Sequence, residues 1–268
     1  MTARAGATLF RSPSIRPCAD HMHLGKAPIV EALVDLRVQA KAGTGLGQIE
    51  TFAGKVRDRY PTVKPIHQVI AHFQVQPLPP DQPQQSVSQT QTGYRLESAD
   101  GKHVLQAGTN SFTLSRLAPY EDWDALLAET REMWDIYATV AAPEIVERVA
   151  VRYINRIELP LPILDFGKYL TAPPAVPKGL PDSVSEYFSR VVINDPRSNA
   201  AIIFSQAFEP IDPARNHVLP VIIDIDVFKQ GLFTLRGNDH WELLSEFRAL
   251  KNTAFFASLT DDTLELLK

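Results

Sequence analysis

The chain has 268 residues, 44% hydrophobic and 22% charged, with a formal net charge of −4. This is ordinary for a folded globular protein with enough chain for a sizeable core, and it lacks the basic excess that marks a nucleic-acid-binding domain. The single cysteine, Cys18, excludes an internal disulfide, and no run reaches the roughly 18–20 apolar residues needed to cross a bilayer.

Residues 1–24 are expected to be a disordered leader. Arg4, Arg11 and Arg16 precede the first acid, Asp20, and the apolar stretch of a signal peptide is missing. An arginine-rich, acid-poor start has a faint likeness to an organelle transit peptide; a plain leader on a cytoplasmic protein is the simpler expectation. Cys18 sits there with nothing arranged to hold it as thiolate. Met22, just ahead of the first strong element, is an alternative start.

The first ordered element spans 29–39. Val30, Ala32, Val34, Leu36 and Val38 alternate with Glu31, Leu33, Asp35 and Arg37, the period of a half-buried strand. A glycine-rich turn at 43–47 leads to Leu46, Ile49, Phe52, Val56 and Tyr60 at helical spacing, and Pro61 stops that helix. Residues 66–76 read as a strand. Residues 77–91, rich in Pro, Gln and Ser, read as a loop that cannot bury enough to pack. Strands at 94–97 and 102–106 flank Ala99-Asp100-Gly101, a hairpin signal. Another strand covers 111–117, and a helix runs from about 121 to 140 with Trp123, Leu126, Leu127, Thr130, Trp134 and Tyr137 on its packed face.

A long strand at 145–159 begins a second series. A proline-punctuated connection follows, and Ser183-Val-Ser-Glu186 is a capping box expected to start a short helix through 192. Strands at 200–208 and 217–228 come next. A helix opening at Asp239 carries Trp241, Leu244, Phe247 and Phe255 on one face, and a last turn, 261–267, has Thr260 as its N-cap. The order of elements predicts an α+β protein of two similar β-α-β-β-α halves, 25–142 and 143–268, suggesting duplication. They would form mainly antiparallel sheet, in one curved sheet or a barrel, with helices packed on one face.

Charge on strands is the most unusual feature. Glu31, Asp35 and Arg37 share one side of the first strand; Arg148, Arg152, Arg156 and Glu158 share one side of its counterpart; Asp224 and Asp226 share a side of the strand at 217–228. The simplest account is cross-strand ion pairing on a solvated face, each pair contributing roughly 0.2–1 kcal/mol. The functional account is a charged groove, with arginines gripping a phosphate or carboxylate and acids holding a divalent metal. Glu31, Asp35, Arg37, Arg152, Asn155, Arg156, Asp224 and Asp226 are the ligand-binding candidates. Other signals fail. The seven histidines form no HExxH or compact cluster, so no metal site is assigned; no GxSxG occurs; and Gly43-Thr-Gly-Leu-Gly47 matches neither GxGxxG nor a P-loop.

Three segments, Ala27-Pro-Ile-Val-Glu-Ala-Leu-Val-Asp-Leu-Arg37, Val151-Arg-Tyr-Ile-Asn-Arg-Ile157 and Phe255-Phe-Ala-Ser-Leu-Thr260, resemble the landmarks of a sporadically distributed family of uncharacterised bacterial proteins. The resemblance spans residues 22–268 and carries over no catalytic residues. It implies a bacterial protein, and sporadic distribution associates it with defence or toxin–antitoxin systems. The leading expectation is a non-enzymatic binding or regulatory protein that holds a protein partner or a small anionic ligand on its sheet face or edge. The alternatives are a Mg²⁺-assisted phosphate-ester or nucleotide enzyme using the same face, and a structural subunit of a homo-oligomer. Neither nucleic acid nor membrane is expected as a partner.

Overall fold

The computed structural model describes residues 24–73, 85–181, 183–235 and 237–268. The leader through residue 23, with Cys18 and Met22, and the 77–84 part of the expected loop lie outside the described residues. In chain order the elements are β1 (Ile29–Gln39), α1 (Leu46–Lys55), β2 (Thr62–Phe73), β3 (Gln85–Glu97), β4 (His103–Gly108), β5 (Ser111–Leu117), α2 (Trp123–Ala141), β6 (Ile145–Pro160), β7 (Phe188–Asp195), β8 (Ala200–Phe208), β9 (Val218–Phe233), α3 (Asp239–Ser258) and α4 (Asp261–Leu266).

The protein is α+β. Among the described residues, nine strands form one antiparallel sheet in the order β2-β3-β4-β5-β1-β6-β9-β8-β7. The two strands with the clearest alternation, β1 and β6, pair at its middle. Each also pairs with the last strand of its own half, β1 with β5 and β6 with β9.

Register fixes which side chains share a face. Val34 stands opposite Leu114 and Val151, and Val151 opposite Val227; all four are fully buried. Phe112 of β5 packs edge-on against Trp134 of α2 at 5.5 Å, and α3 lies along β6 and β9. The buried apolar residues form one cluster running through both halves. Trp123 and Trp134 belong to it, as expected of one helical stripe. Leu24, counted above with the leader, packs against it too.

Two local expectations are corrected. Residues 188–195 are strand, not helix. β7 pairs with β8 from Phe188↔Ala207 to Asp195↔Ala200; Val191-Val192-Ile193 is β-branched, favouring strand, and a ready ladder outweighs the capping pattern upstream. The second half therefore has no α-helix between its first two strands, only a 3-10 turn at Phe166–Lys168 within the described residues. Residues 85–91 also belong to a strand: β3 continues back through them, paired with β2. The hairpin turn is as expected, with Gly101 at φ 71° and the Asp100 carboxylate accepting from the backbone N–H of Lys102.

Candidate functional site

The sheet's polar face carries a ladder of ion pairs. The Asp35 carboxylate, its side chain only 7% exposed, accepts from Arg37 Nε at 3.1 Å, Thr113 Oγ1 at 2.7 Å and an Arg148 guanidinium nitrogen at 2.6 Å. Arg148 also bonds both Asp226 oxygens, at 2.8 and 3.0 Å, and its guanidinium lies 4.5 Å from the centre of the Phe228 ring. Arg152 grips Asp224 bidentately at 2.8 and 2.5 Å. Arg156 donates to Glu209 at 2.6 Å and to Glu158 at 2.5 Å. Burial raises the pKa of Asp226, with Arg148 and Arg152 opposing that rise; the hydrogen bond to Asp224 raises that of Arg152, with Glu31 adding to it.

Of the expected residues, Asp35, Arg37, Arg152 and Asp226 line one shallow cavity of about 400 Å³ on this face. Asp224 is joined to it through Arg152, Glu31 stands beside Arg152, and Arg156 lies further along β6. Asn155 is not among them. It stands opposite Ile223 on the apolar face, buried, donating to the Ile223 carbonyl at 3.1 Å. Its position is odd where Arg152 and Arg156 are even, so the strand's twofold period separates them. Arg148, Arg152 and Arg156 are all committed to internal carboxylates, so an external anion would have to displace an acid already bonded. No group of three or more metal-ligating side chains comes together among the described residues.

A second buried charge lies under α2. Glu129 accepts from the Tyr60 hydroxyl at 2.7 Å and Arg116 Nε at 2.6 Å, lies 2.9 Å from His103 Nδ1, and pairs with Arg59 at 2.9 Å. Burial pushes its pKa up, but the hydrogen bonds from His103 and Tyr60 and the charge of Arg116 outweigh that, and the net shift is downward.

The apolar face holds a larger cavity, about 1020 Å³, between the start of β1, the end of β5, β6 and helix α3. Its walls include Trp123, Tyr120, Tyr153, Phe255 and Phe256, and its cations are Lys26, Arg248 and Lys251. Lys251 is 8% exposed, and its ammonium lies 3.8 Å from the centre of the Tyr153 ring. The Arg248 guanidinium lies 5.9 Å from the Trp123 ring centre. Neither pairs with a carboxylate among the described residues. The acids at the rim are occupied: Glu121 pairs with Arg116, and Asp122 caps α2 by accepting from Ala125 N–H.

Burial, with a smaller push from Arg248, lowers the Lys251 pKa to about 7. The hydroxyls of Tyr120 and Tyr153 are 2.9 Å apart. Burial pushes Tyr120 up to about 12 and Tyr153 well above its ordinary value, so both stay protonated. Two O–H groups share one mutual bond, which leaves one donor for another acceptor.

Sequence reasoning passed over Lys251, yet a signal existed. On α3 the stripe Trp241, Leu244, Phe247, Phe255 has one missing register position, and Lys251 fills it. The three segments singled out in the sequence, 27–37, 151–157 and 255–260, each contribute to this cavity, through Ala27, Pro28 and Ile29, Tyr153 and Asn155, and Phe255 and Phe256. The sequence matches no family model, and no curated protein is significantly similar to it. No helix among the described residues is long and apolar enough to cross a membrane.

Proposed function

We propose that this protein binds a small organic anion in the cavity between β6 and α3. The observation that carries the reading is the pair Arg248 and Lys251. They lie three residues apart, hence on one side of α3, face the same cavity and lack carboxylate partners among the described residues. A buried ammonium is costly without a counter-charge, and an anionic ligand supplies one. Arg248 offers a planar fork suited to a carboxylate or phosphate. Tyr153, Trp123, Phe255 and Phe256 provide walls for an apolar or aromatic body, and Asn155 and the spare tyrosine hydroxyl fix orientation. This keeps the expectation of a non-enzymatic anion-binding protein and moves it to the other side of the sheet.

The same reading extends to the fold. We take the central pairing of β1 with β6, each flanked by the last strand of its own half, to be the trace of duplication, with the helices gathered on the apolar face. The likeness carried by the three segments fits a binding site shared with that bacterial family.

The test uses anilinonaphthalene sulfonate, an aromatic anion, against its uncharged analogue N-phenylnaphthylamine. The folded protein is expected to take up the sulfonate at one saturable site and to prefer it. Lys251→Met and Arg248→Met should each weaken sulfonate binding by about tenfold or more, the worth of one charged hydrogen bond. Equal affinity for the two probes, or unchanged binding in both variants while they remain folded, overturns the reading.

A further inference from the structure

We propose that Lys251 captures a carbonyl-bearing anion, such as an α-keto acid, as an imine, with Arg248 holding the carboxylate. The proposal rests on the anion-binding reading and deepens it. A lysine that merely neutralises a ligand works best as a fixed cation at the surface or in an ion pair. Lys251 is neither. Its side chain is buried against the Tyr153 ring, it faces a cavity large enough for an organic acid, and it bonds to no carboxylate among the described residues. Such an environment favours the neutral amine, the form that can attack a carbonyl carbon.

The groups facing the amine from each neighbouring element fit the reaction. On its own helix, Arg248 lies one turn earlier and disfavours a second positive charge. From β6 comes Tyr153, and from the segment after β5 come Tyr120, Glu121 and Asp122, the two acids engaged as described. Lys26, Asn155 and Asn252 add to the polar lining. The Lys251 Nζ lone pair attacks the carbonyl carbon to form a carbinolamine. The nitrogen then gives up its protons as the oxygen leaves, and one water is released per imine formed. Nothing is oxidised or reduced. The spare hydroxyl of the Tyr120–Tyr153 pair is placed in the same cavity to donate to the departing oxygen.

The experiment incubates the full chain at neutral pH with glyoxylate or phenylpyruvate and adds sodium borohydride, which fixes an imine as a secondary amine. Intact-mass measurement is expected to show one adduct per chain, equal to the keto acid less one oxygen atom, and peptide mapping should place it on Lys251. A lysine held near neutrality has on the order of a thousandfold more free amine at pH 7 than an ordinary surface lysine, so Lys251 should be labelled first by a wide margin. Lys251→Met should lose the adduct while staying folded, with a melting temperature no lower than that of the wild type. Absence of an adduct with both keto acids, or labelling spread over surface lysines and unchanged in Lys251→Met, overturns the proposal. Sulfonate-probe binding on the same samples separates the failures. Probe bound without trapping removes the covalent step alone; neither observed removes the anion-binding reading as well.

Discussion

The two long helices each place one acid or lysine in their buried stripe, Glu129 and Lys251, and the surroundings of the two differ completely. Glu129 of α2 is met by Tyr60, His103, Arg116 and Arg59. Lys251 of α3 is met by an aromatic ring, a neighbouring arginine and open cavity. A buried charge that the fold answers with several partners is part of the scaffold. One that the fold leaves unanswered costs stability and needs a reason outside folding. The same distinction separates the polar face of the sheet, where arginines and acids pair among themselves, from the cavity on the apolar face, where the cations do not.

The largest effect should come from removing the answered charge. Glu129→Ala leaves Arg116 buried without its main partner and should cost about 3–5 kcal/mol, measured as a shift in the urea midpoint at constant slope. The lowered pKa of Glu129 means that its stabilisation is present above the ordinary carboxylate range and is lost as pH falls through the folded-state value. A loss below about 1 kcal/mol would show that the network is ornamental and would break the comparison.

The unanswered charge predicts the opposite sign. Lys251→Met, of similar length and without charge, should stabilise the protein at pH 7 by something on the order of 1–4 kcal/mol while weakening sulfonate-probe binding about tenfold or more. The linkage agrees in direction. The folded-state pKa is near 7 against 10.5 ordinarily, so between these values the unfolded chain binds the proton more strongly. Wild-type stability should therefore rise with pH across that window, by up to about 1.4 kcal/mol per pH unit, and the rise should be missing from Lys251→Met, so that it stands alone in the difference between the two proteins. A variant less stable than wild type at pH 7 would mean that Lys251 serves the fold.

Much of the scaffold was legible because its signals are local. The alternation in β1 and β6 follows from one strand at a time, and period two put Asp35 with Arg37, Arg152 with Arg156, and Asp224 with Asp226, each set on one side of its own strand; the pairing register is what brings the three sets to one face. Which acid each arginine holds was not legible, because it depends on register: Arg152 stands directly opposite Asp226 yet bonds the diagonal Asp224. The false helix near 183–192 came from trusting a capping pattern where long-range pairing with β8 decides. The cavity was invisible for a related reason. Its walls come from 24–29, 118–123, β6 and α3, segments far apart in sequence. Lys251 and Glu129 were nevertheless readable as ionisable residues occupying register positions of apolar helical stripes, and only a structure could say which of the two was answered.

The smallest effects lie on the polar face itself, and they can be graded by depth. Asp35 and Arg148 are largely covered, with side chains 7% and 19% exposed, and share a 2.6 Å bond. Arg156 and Glu209 are 31% and 39% exposed and meet at the same distance. Solvent screening should therefore separate two pairs of equal geometry. Double-mutant cycles to alanine are expected to give a coupling of about 1–3 kcal/mol for Asp35–Arg148 and below about 1 kcal/mol for Arg156–Glu209, the second fading further in high salt. Neither pair should alter sulfonate-probe binding across the sheet. If Arg156→Ala weakened that binding as much as Lys251→Met, the two faces would not be independent, and the ladder would belong to the binding site after all.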